Sequence, residues 1–343
     1  MHKLSKVLAA VLIVALAVPL LSIGQGNDST LNVVLDRGTL ICGVNGGVPG
    51  FGFVDDETGE WSGLDVEYCR AIAAAVLGDA DAVEYRPLTA AARFTALASG
   101  EIDVLIRNTT WTFTRDVELG TNFGPTTFYD GQGFMVRRDL GVTSLDQLGG
   151  ATICVLQGTT TEQNLADEFR KRGLDFTPLV FAEAASRDAA YDEGRCDSVT
   201  SDKSQLAAVR TRLADPDAHT ILGVTISKEP LGPLTRHGDD GWFDIVKWVT
   251  FCTFQAEELG VTSANVGEMA DSDNPRVRRL VGTESNLGEQ LGLSNDFCAN
   301  AIAAVGNYGE LYEANIAPLG LERAGSLNAL WTEGGLIYPV AYR

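Results

Sequence analysis

The sequence predicts an α/β fold with two sets of strands and helices and a mostly helical C-terminal part. Its 343 residues are enough for two domains of ordinary size. Strand-like and helix-like runs alternate in two sets, one before and one after Gly131-Gln132-Gly133. Such alternation is typical of parallel sheets joined by crossover helices. From Trp242 onward the pattern becomes mostly helical.

The first set begins with an apolar run between residues 38 and 44, which predicts a strand. Leu64 to Leu77 carries apolar residues at helical spacing and predicts a helix. A strand over Ala82–Pro87 and a helix over Ala90–Ser99 are expected next. Ile102–Ile106 is a continuous apolar run, as expected of a buried parallel strand.

The second set repeats this alternation. We expect, in order, a strand over Ala151–Leu156, a helix over Thr160–Arg172, a strand over Pro178–Phe181, a helix over Ala182–Glu193, a strand over Asp197–Thr200 and a helix over Lys203–Leu213. No fixed-period repeat or low-complexity tract is visible along the chain.

The charge balance and the missing motifs exclude several classes of function. Acids outnumber bases 46 to 26, giving a net charge of −20, which argues against a nucleic-acid-binding surface. Only three histidines are present, too few for a multi-histidine metal site. Gly50-Phe51-Gly52 and Gly131-Gln132-Gly133 both lack the third glycine of the dinucleotide fingerprint, and no phosphate loop occurs. We therefore expect no cofactor and no metal.

The N-terminus predicts export. Lys3 and Lys6 precede an apolar stretch from Val7 to Ile23, which is the layout of a secretory signal peptide over residues 1–24. A retained N-terminal membrane anchor is the alternative, because the stretch is near the lower length limit for crossing a bilayer. The signal predicts a periplasmic or other extracytoplasmic protein, tethered to the membrane if the anchor is retained.

The cysteines fit an exported protein. They are Cys42, Cys69, Cys154, Cys196, Cys252 and Cys298. An even number behind an export signal suggests disulfides, although sequence alone cannot choose the connectivity. The simplest pairing joins neighbours along the chain. Six buried thiols are the alternative.

Polar residues follow the buried strand that is predicted over Ile102–Ile106. Asn108 and Thr110 come soon after Ile102–Ile106, and Arg115 follows them. Ligands of open α/β sheets bind beyond the carboxyl ends of the strands. Asn108 and Thr110 could supply hydrogen bonds there, and the Arg115 guanidinium could bind a carboxylate through two parallel hydrogen bonds. The alternative is that Arg115 is a surface arginine at the start of a helix.

Two further polar clusters follow strands of the second set. Gln157–Glu162 opens a helix, and its backbone N–H groups would favour an anion. Simple capping by Thr159 or Thr160 is the alternative. Asp202, at the end of a strand, could pair with an ammonium group, or it could be the N-cap of the next helix.

The combination of segments resembles a known family. The segments, in chain order, are "LICGVNGGVPGFGF", "GEWSGLDVEYCRAIAAAVLGD", "FTALASGEIDVLIRNTTWTFTRD", "VLQGTTTEQNLADEF" and "GRCDSVTSDKSQLA". They resemble the polar amino-acid-binding proteins of ABC importers. Further segments such as "YDGQGFMVRRDLGV" and "GDDGWFDIVKW" resemble the general L-amino-acid-binding subgroup. The resemblance runs from about Leu31 to the C-terminus.

The resemblance implies the two-lobed clamshell of type 2 periplasmic binding proteins, with two chain crossings and a helical C-terminal extension. The crossings are expected near Pro125–Gly131 and Thr225–Pro233. Lobe 1 would hold residues 31–127 and 232–343, including the helical tail. Lobe 2 would hold residues 130–226.

The resemblance also implies a set of ligand-binding residues. The carboxylate-binding arginine falls on Arg115, the hydrogen-bonding strand-end positions on Asn108 and Thr110, the glycine–threonine loop on Gly158, Thr159, Thr160 and Thr161, and the ammonium-binding acid on Asp202. The chain departs from the family where aromatic residues are common, at Val48 and near Ala90, and where a small serine is expected, at Arg107. If Arg107 points into the cleft, it should favour acidic or amide side chains.

The implied function is a monomeric binding protein that delivers L-amino acids to the permease of an ABC importer. An exported lyase on the same scaffold, similar to cyclohexadienyl dehydratase, is the alternative, and an extracytoplasmic sensor domain is a third reading. Arg115 and Asp202 favour the binding protein, because together they match both charges of a zwitterion.

Overall fold

The computed structural model describes residues 29–343. The predicted signal peptide or anchor over residues 1–24 lies outside this part of the chain. Within residues 29–343, no helix is long and apolar enough to span a membrane.

The described chain is a mixed α/β structure. Its α-helices are α1 (Thr30–Arg37), α2 (Leu64–Leu77), α3 (Arg93–Ser99), α4 (Phe113–Val117), α5 (Thr160–Arg172), α6 (Ala184–Asp192), α7 (Lys203–Arg210), α8 (Asp240–Glu258), α9 (Pro275–Leu280), α10 (Leu287–Leu291), α11 (Phe297–Val305) and α12 (Tyr308–Asn315). Its strands are β1 (Leu40–Val44), β2 (Gly47–Val48), β3 (Gly52–Val54), β4 (Trp61–Ser62), β5 (Val83–Pro87), β6 (Val104–Leu105), β7 (Thr121–Phe123), β8 (Phe128–Asp130), β9 (Gln132–Arg137), β10 (Thr152–Leu156), β11 (Thr177–Phe181), β12 (Ser198–Asp202), β13 (His219–Ile221), β14 (Glu229–Leu231) and β15 (Leu234–Arg236).

Two five-stranded sheets form the centres of the two lobes. Their strand orders are β5-β1-β6-β15-β7 and β11-β10-β12-β9-β13. In each sheet the strands joined by crossover helices are parallel, as predicted. The sheets are nevertheless mixed, because β15, β7, β9 and β13 pair antiparallel with their neighbours. These strands lie next to the crossings in the chain, where short connections reverse its direction.

The two crossing segments form a small sheet of their own. Strands β8 and β14 pair antiparallel, and Asp130 lies directly opposite Glu229. Strand β9 begins two residues after β8, and β15 begins three residues after β14, so each crossing strand leads into a central sheet. The crossings therefore place charged side chains at the base of the space between the lobes.

Most predicted elements lie where they were expected. Helices α2 and α5 have the predicted bounds, whereas α3 begins three residues later than predicted, at Arg93, and α7 ends three residues earlier, at Arg210. At α3 the Thr89 hydroxyl accepts a hydrogen bond from the Ala92 backbone N–H at 3.1 Å, which closes a turn ahead of the helix.

The helical tail packs against the first lobe. Helix α11 lies against α2 and α8, and residues of all three helices share one apolar core. Disulfides join Cys42 to Cys69 and Cys252 to Cys298 in this lobe, and Cys154 to Cys196 in the other. These are the pairs of neighbours along the chain, and no cysteine of the described residues is left free.

Candidate ligand-binding site

A narrow cleft lies between the two lobes. It is lined by Asn45, Val48, Arg93, Arg107, Asn108, Thr110, Leu156, Thr159, Thr160, Thr161, Ala184, Ser201, Asp202 and Gln205. The cleft therefore brings together, in one place, most of the residues that the sequence predicted from three separate strand ends.

Asn108 lies in a strained turn at the edge of the first sheet. Its φ angle is 33°, the only positive value among the described residues other than glycine. The backbone N–H donates to Asp65 Oδ2 at 2.6 Å, and Asn45 Nδ2 donates to Asn108 Oδ1 at 3.1 Å. These contacts fix an unfavourable backbone conformation at the wall of the cleft, as is common at functional sites.

Arg115 is buried beside the cleft, although it is not one of the residues that line its empty space. Arg115 lies in the first turn of α4, and Thr112 caps this helix because its hydroxyl accepts a hydrogen bond from the Arg115 backbone N–H at 3.2 Å. The guanidinium donates from Nη1 to the Thr110 carbonyl oxygen at 2.9 Å. Burial lowers the pKa of Arg115, and the negative charges of Glu229 and Asp202 oppose that shift. Arg115 therefore belongs to a helix start, but it is not a surface arginine.

Arg107 lines the cleft and is also buried. Its Nε donates to the Leu88 carbonyl oxygen at 2.7 Å, which fixes the plane of the guanidinium. Burial lowers the pKa of Arg107 to about 10, and the nearby charge of Asp65 opposes the shift. Arg107 therefore lies at the wall of the cleft, and its preference for acidic and amide ligands stays a prediction.

The threonine loop faces these residues from the second lobe. The Thr159 hydroxyl accepts from the Glu162 N–H at 3.2 Å and donates to the Leu156 carbonyl oxygen at 2.6 Å, so this residue caps α5. The Thr160 hydroxyl instead donates to Glu229 Oε2 at 2.8 Å. Capping thus explains Thr159 but not Thr160.

Gly158 and Thr161 complete the loop. Gly158 has a φ of +72°, and a Cβ there would lie 3.3 Å from the Cα of Ala91 in the first lobe. A side chain at this position would therefore be strained in the backbone and crowded against the opposite lobe. The Thr161 hydroxyl lies 2.8 Å from the Thr159 hydroxyl and shares a hydrogen bond with it.

Asp202 ends β12 and precedes α7, but its side chain does not cap that helix. Gln205 Nε2 donates to Asp202 Oδ2 at 2.9 Å. Burial raises the pKa of Asp202 well above its usual range, and the negative charges of Asp130 and Glu229 raise it further. The carboxylate lies at the cleft wall, where a cation would relieve this repulsion.

Asp130 and Glu229 are functional candidates that the sequence analysis missed. Glu229 accepts from Ser227 and Asn164 as well as Thr160. Burial raises the pKa of Asp130 to about 6. No group of three or more metal-ligating side chains within residues 29–343 is placed to hold a metal ion. Neither acid carries a sequence signal, because their approach to Asp202 depends on the pairing of β8 with β14.

Arg93 is the other missed residue, and here a signal existed. It lies on the buried face of α3 with Ala96 and Leu97, at helical spacing. An arginine on an otherwise apolar helix face is unusual, and it could have identified Arg93 as a functional candidate.

A second cavity adjoins the cleft. Its volume is about 240 Å³, and it shares Asn45, Arg107, Leu156 and Ala184 with the cleft. Its other lining residues are mostly small or apolar: Gly46, Gly47, Pro87, Leu88, Thr89, Ala90, Ala182, Glu183 and Ala185. Four of its lining residues are alanines, which leave this part of the cavity wall without large side chains.

Comparison with known proteins gives a consistent result. The family model of bacterial extracellular solute-binding proteins, family 3, matches residues 40–273. The chain is 52% identical over 336 residues to the general L-amino acid-binding periplasmic protein AapJ of Rhizobium johnstonii, covering 96% of this chain and 98% of that one. It is 51% identical over 331 residues to the glutamate/glutamine/aspartate/asparagine-binding protein BztA of Rhodobacter capsulatus, again covering 96% and 98%.

The solved structures include a similar protein. A periplasmic binding protein of an ABC transporter from Brucella ovis, with glutathione bound, superimposes with a TM-score of 0.89 at 51% sequence identity. The match covers 92% of this chain and 99% of the Brucella chain.

Proposed function

Because this chain belongs to the bacterial extracellular solute-binding proteins of family 3, we propose that it captures L-amino acids between its lobes and delivers them to the permease of an ABC importer. It is a transport binding protein and not an enzyme. The relatives named for amino-acid binding are transport binding proteins as well. Those relatives do not support the alternative of an exported lyase.

The observation that carries the proposal is that Arg115 and Asp202 lie on opposite lobes, close enough for the charge of each to act on the other. Each is buried, one on the first lobe and one on the second, and each shifts the pKa of the other through its charge. A zwitterionic amino acid would place its carboxylate at Arg115 and its ammonium group at Asp202. Both desolvated charges would then have a ligand partner, which a neutral sugar could not provide.

The remaining predicted residues support the same orientation. We assign Asn108, Thr110 and Thr161 to hydrogen bonds with the main-chain atoms of the ligand, because all three line the cleft. Thr160, with Thr159 and Gly158, would close the second lobe over the ligand. In this proposal the lobes are residues 31–127 with 232–343, and residues 130–226.

Delivery requires two states of the molecule. Ligand binding would favour the closed arrangement of the lobes through motion at β8 and β14, and the permease would recognise that form. We propose that the chain is exported by residues 1–24 and acts as a monomer. The periplasmic location of AapJ supports the export of this chain.

The side-chain preference should be broad but weighted toward acidic and amide amino acids. Val48 lines the cleft and Ala90 lines the adjoining cavity, and the family resemblance implies aromatic residues at these positions, so we expect no aromatic clamp and no tight side-chain selection. Arg107, at the cleft wall, would favour glutamate, aspartate and glutamine and would repel lysine and arginine. The name of BztA, which is 51% identical, supports this weighting.

A second class of ligand is favoured by the adjoining cavity. The opening past Arg107 and Ala184 gives a γ-linked extension of glutamate a place to lie. The Brucella relative has glutathione bound, which is such a γ-glutamyl peptide. We propose that this chain also accepts γ-glutamyl peptides.

A thermal-shift panel on the purified protein tests the proposed function. We expect L-glutamate, L-glutamine and several other L-amino acids to raise the melting temperature, because a ligand at one hundred times its Kd adds about 2.7 kcal/mol of stability. D-amino acids and sugars should have little effect. A panel in which only sugars or no compounds stabilise the protein would contradict the proposal.

A further inference from the structure

The guanidinium of Arg93 is buried in the cleft without the partners that buried arginines usually have. Arg93 is only 3% exposed and lines the cleft. Its Nε has no hydrogen-bond partner in the part of the chain that the structure describes. An unpaired charge removed from water is costly, so such an arrangement points to a partner that arrives from outside the protein.

Arg187 shows what a buried structural arginine looks like in this molecule. It is 2% exposed, and its Nε donates to Asp188 Oδ1 at 2.8 Å while Nη2 lies 2.7 Å from the same carboxylate. Its Nη1 also reaches the Ser201 hydroxyl at 3.4 Å. Arg107 and Arg115 also have partners, because each donates a hydrogen bond to a backbone carbonyl oxygen, that of Leu88 and that of Thr110.

The charged groups around Arg93 do not neutralise the positive charge of its guanidinium. Burial lowers the pKa of Arg93 well below its usual range, and the positive charges of Arg107 and Arg115 lower it further. The carboxylate that opposes this shift is Asp202, which the proposed function assigns to the ligand ammonium. Once that ammonium is bound, Arg93 still faces two other cations and lacks a carboxylate of its own.

Phe94 holds Arg93 next to Arg115. The guanidinium carbon of Arg93 lies 5.0 Å from the centre of the Phe94 ring, and that of Arg115 lies 5.2 Å from it. Both cations contact the same half-buried ring, which stabilises them at neighbouring positions. A short amino acid with two carboxylates can therefore reach both guanidinium groups.

We propose that Arg93 is the specificity-determining residue that binds the side-chain carboxylate of a dicarboxylic amino acid. This inference rests on the proposed function, in which Arg115 and Asp202 hold the main-chain charges. Arg93 donates its unpaired N–H groups to the second carboxylate of the ligand. Glutamate or aspartate thereby supplies the negative charge that Arg93 lacks once Asp202 has bound the ligand ammonium.

The test is calorimetric titration of L-glutamate, L-glutamine and L-leucine into the parent protein and into Arg93→Met and Arg93→Lys. In Arg93→Met we expect the Kd for glutamate to rise by at least about tenfold, because a desolvated charge pair is lost. The Kd for leucine should change by less than about threefold. Arg93→Lys should keep part of the glutamate preference, since lysine retains the charge but not the planar fork. Arg86→Met, at an exposed arginine on β5 outside both cavities, is the matched control.

Equal losses for glutamate and leucine would overturn the proposal, because Arg93 would then act on the main-chain atoms or on the fold. Unchanged glutamate binding would overturn it as well. The ligand-free melting temperature of Arg93→Met should not fall, because the substitution removes an unpaired buried charge; a fall of about 10 °C or more would show a structural role and contradict the proposal. If the parent bound none of the three amino acids, the proposed function itself would fail.

Discussion

Asp130 and Glu229 face each other as directly opposite residues of the two strands that join the lobes. Both carboxylates also lie close enough to Asp202 for their charges to raise its pKa. The hinge strands therefore carry negative charge to the place where the ligand ammonium is proposed to bind. A bound cation would relieve repulsion among three carboxylates at once, which would link ligand capture to the strands that we propose to move when the lobes close.

The stability of the ligand-free protein should fall as the pH rises from about 4 to about 6. Burial raises the pKa values of Asp65 and Asp130 to about 6, so in this range the folded state holds more protons than the unfolded state. Each group should lower the free energy of unfolding by about 3 kcal/mol across the whole window, and by about half of that between pH 5 and pH 7.5. Urea unfolding at pH 5 and pH 7.5 measures this. His219, whose pKa burial lowers, acts in the opposite sense.

Asp130→Asn is the matched variant for this pH dependence. The substitution removes one of the carboxyl groups whose pKa burial raises, so the difference in stability between pH 5 and pH 7.5 should become smaller. An unchanged pH profile in Asp130→Asn would mean that the Asp130 carboxyl does not titrate in this range.

Asp202→Asn should abolish amino-acid binding without destabilising the fold. The amide cannot pair with an ammonium ion, and loss of a buried charge partner costs about 2–5 kcal/mol of binding free energy. The ligand-free variant should melt at the same temperature or higher, because repulsion from Asp130 and Glu229 is removed. Calorimetry and thermal melting measure the two effects, with Glu193→Gln as a control at an exposed acid. Full affinity in Asp202→Asn would place the ammonium elsewhere.

Loss of the Cys154–Cys196 disulfide should lower stability substantially. The bridge closes a loop with a sequence separation of 42, for which the loop-entropy model gives about 4 kcal/mol. The double variant Cys154→Ala/Cys196→Ala should show this loss in urea unfolding. Peptide mapping of unreduced protein from the periplasm should find all three bridges. Recovery of six alkylated thiols would contradict both the pairing and the proposed export.

The adjoining cavity should be needed for γ-glutamyl peptides but not for free glutamate. Ala185 lines that cavity and is not part of the cleft. Because Ala185 is exposed, Ala185→Trp should fill the space without disturbing the core. We expect its affinity for glutathione to fall at least about tenfold while its affinity for L-glutamate is retained.

Ala189→Trp places the same side chain at another exposed position of α6, outside the lining of either cavity, and serves as the control. Equal glutathione affinity in Ala185→Trp and Ala189→Trp would mean that the peptide extension does not occupy the adjoining cavity.

Much of the fold could be predicted from the sequence, because long periodic segments carry a strong signal. The helices over Leu64–Leu77 and Thr160–Arg172 were predicted with their bounds. The start of α3 and the end of α7 were each predicted with an error of three residues. Side-chain hydrogen bonds, such as the one that the Thr89 hydroxyl accepts ahead of α3, decide where a helix begins or ends. The antiparallel strands of the mixed sheets were missed because short strands near the crossings carry little periodicity.

The grouping of candidate residues at one cleft was predictable where a residue ends or follows a strong strand. Asn108, Thr110 and Asp202 do so, and they line one cleft in the structure. Glu229 could not be found in this way, because its place beside Asp202 depends on strand pairing between distant segments. Arg93 was overlooked for a different reason: it lies in a helix that reads as ordinary core packing, and only its charge on the buried face distinguishes it.

The measurement that tests the central claim most directly is calorimetric titration of L-glutamine into the parent protein and into Arg115→Ala. The parent should give a saturable isotherm with one site per chain. Arg115→Ala should give no measurable binding under the same conditions, because it removes the buried cation proposed to bind the ligand carboxylate, while thermal melting shows the variant to be folded. Arg115→Lys should also bind markedly more weakly. Binding by folded Arg115→Ala as tight as that of the parent would contradict the account.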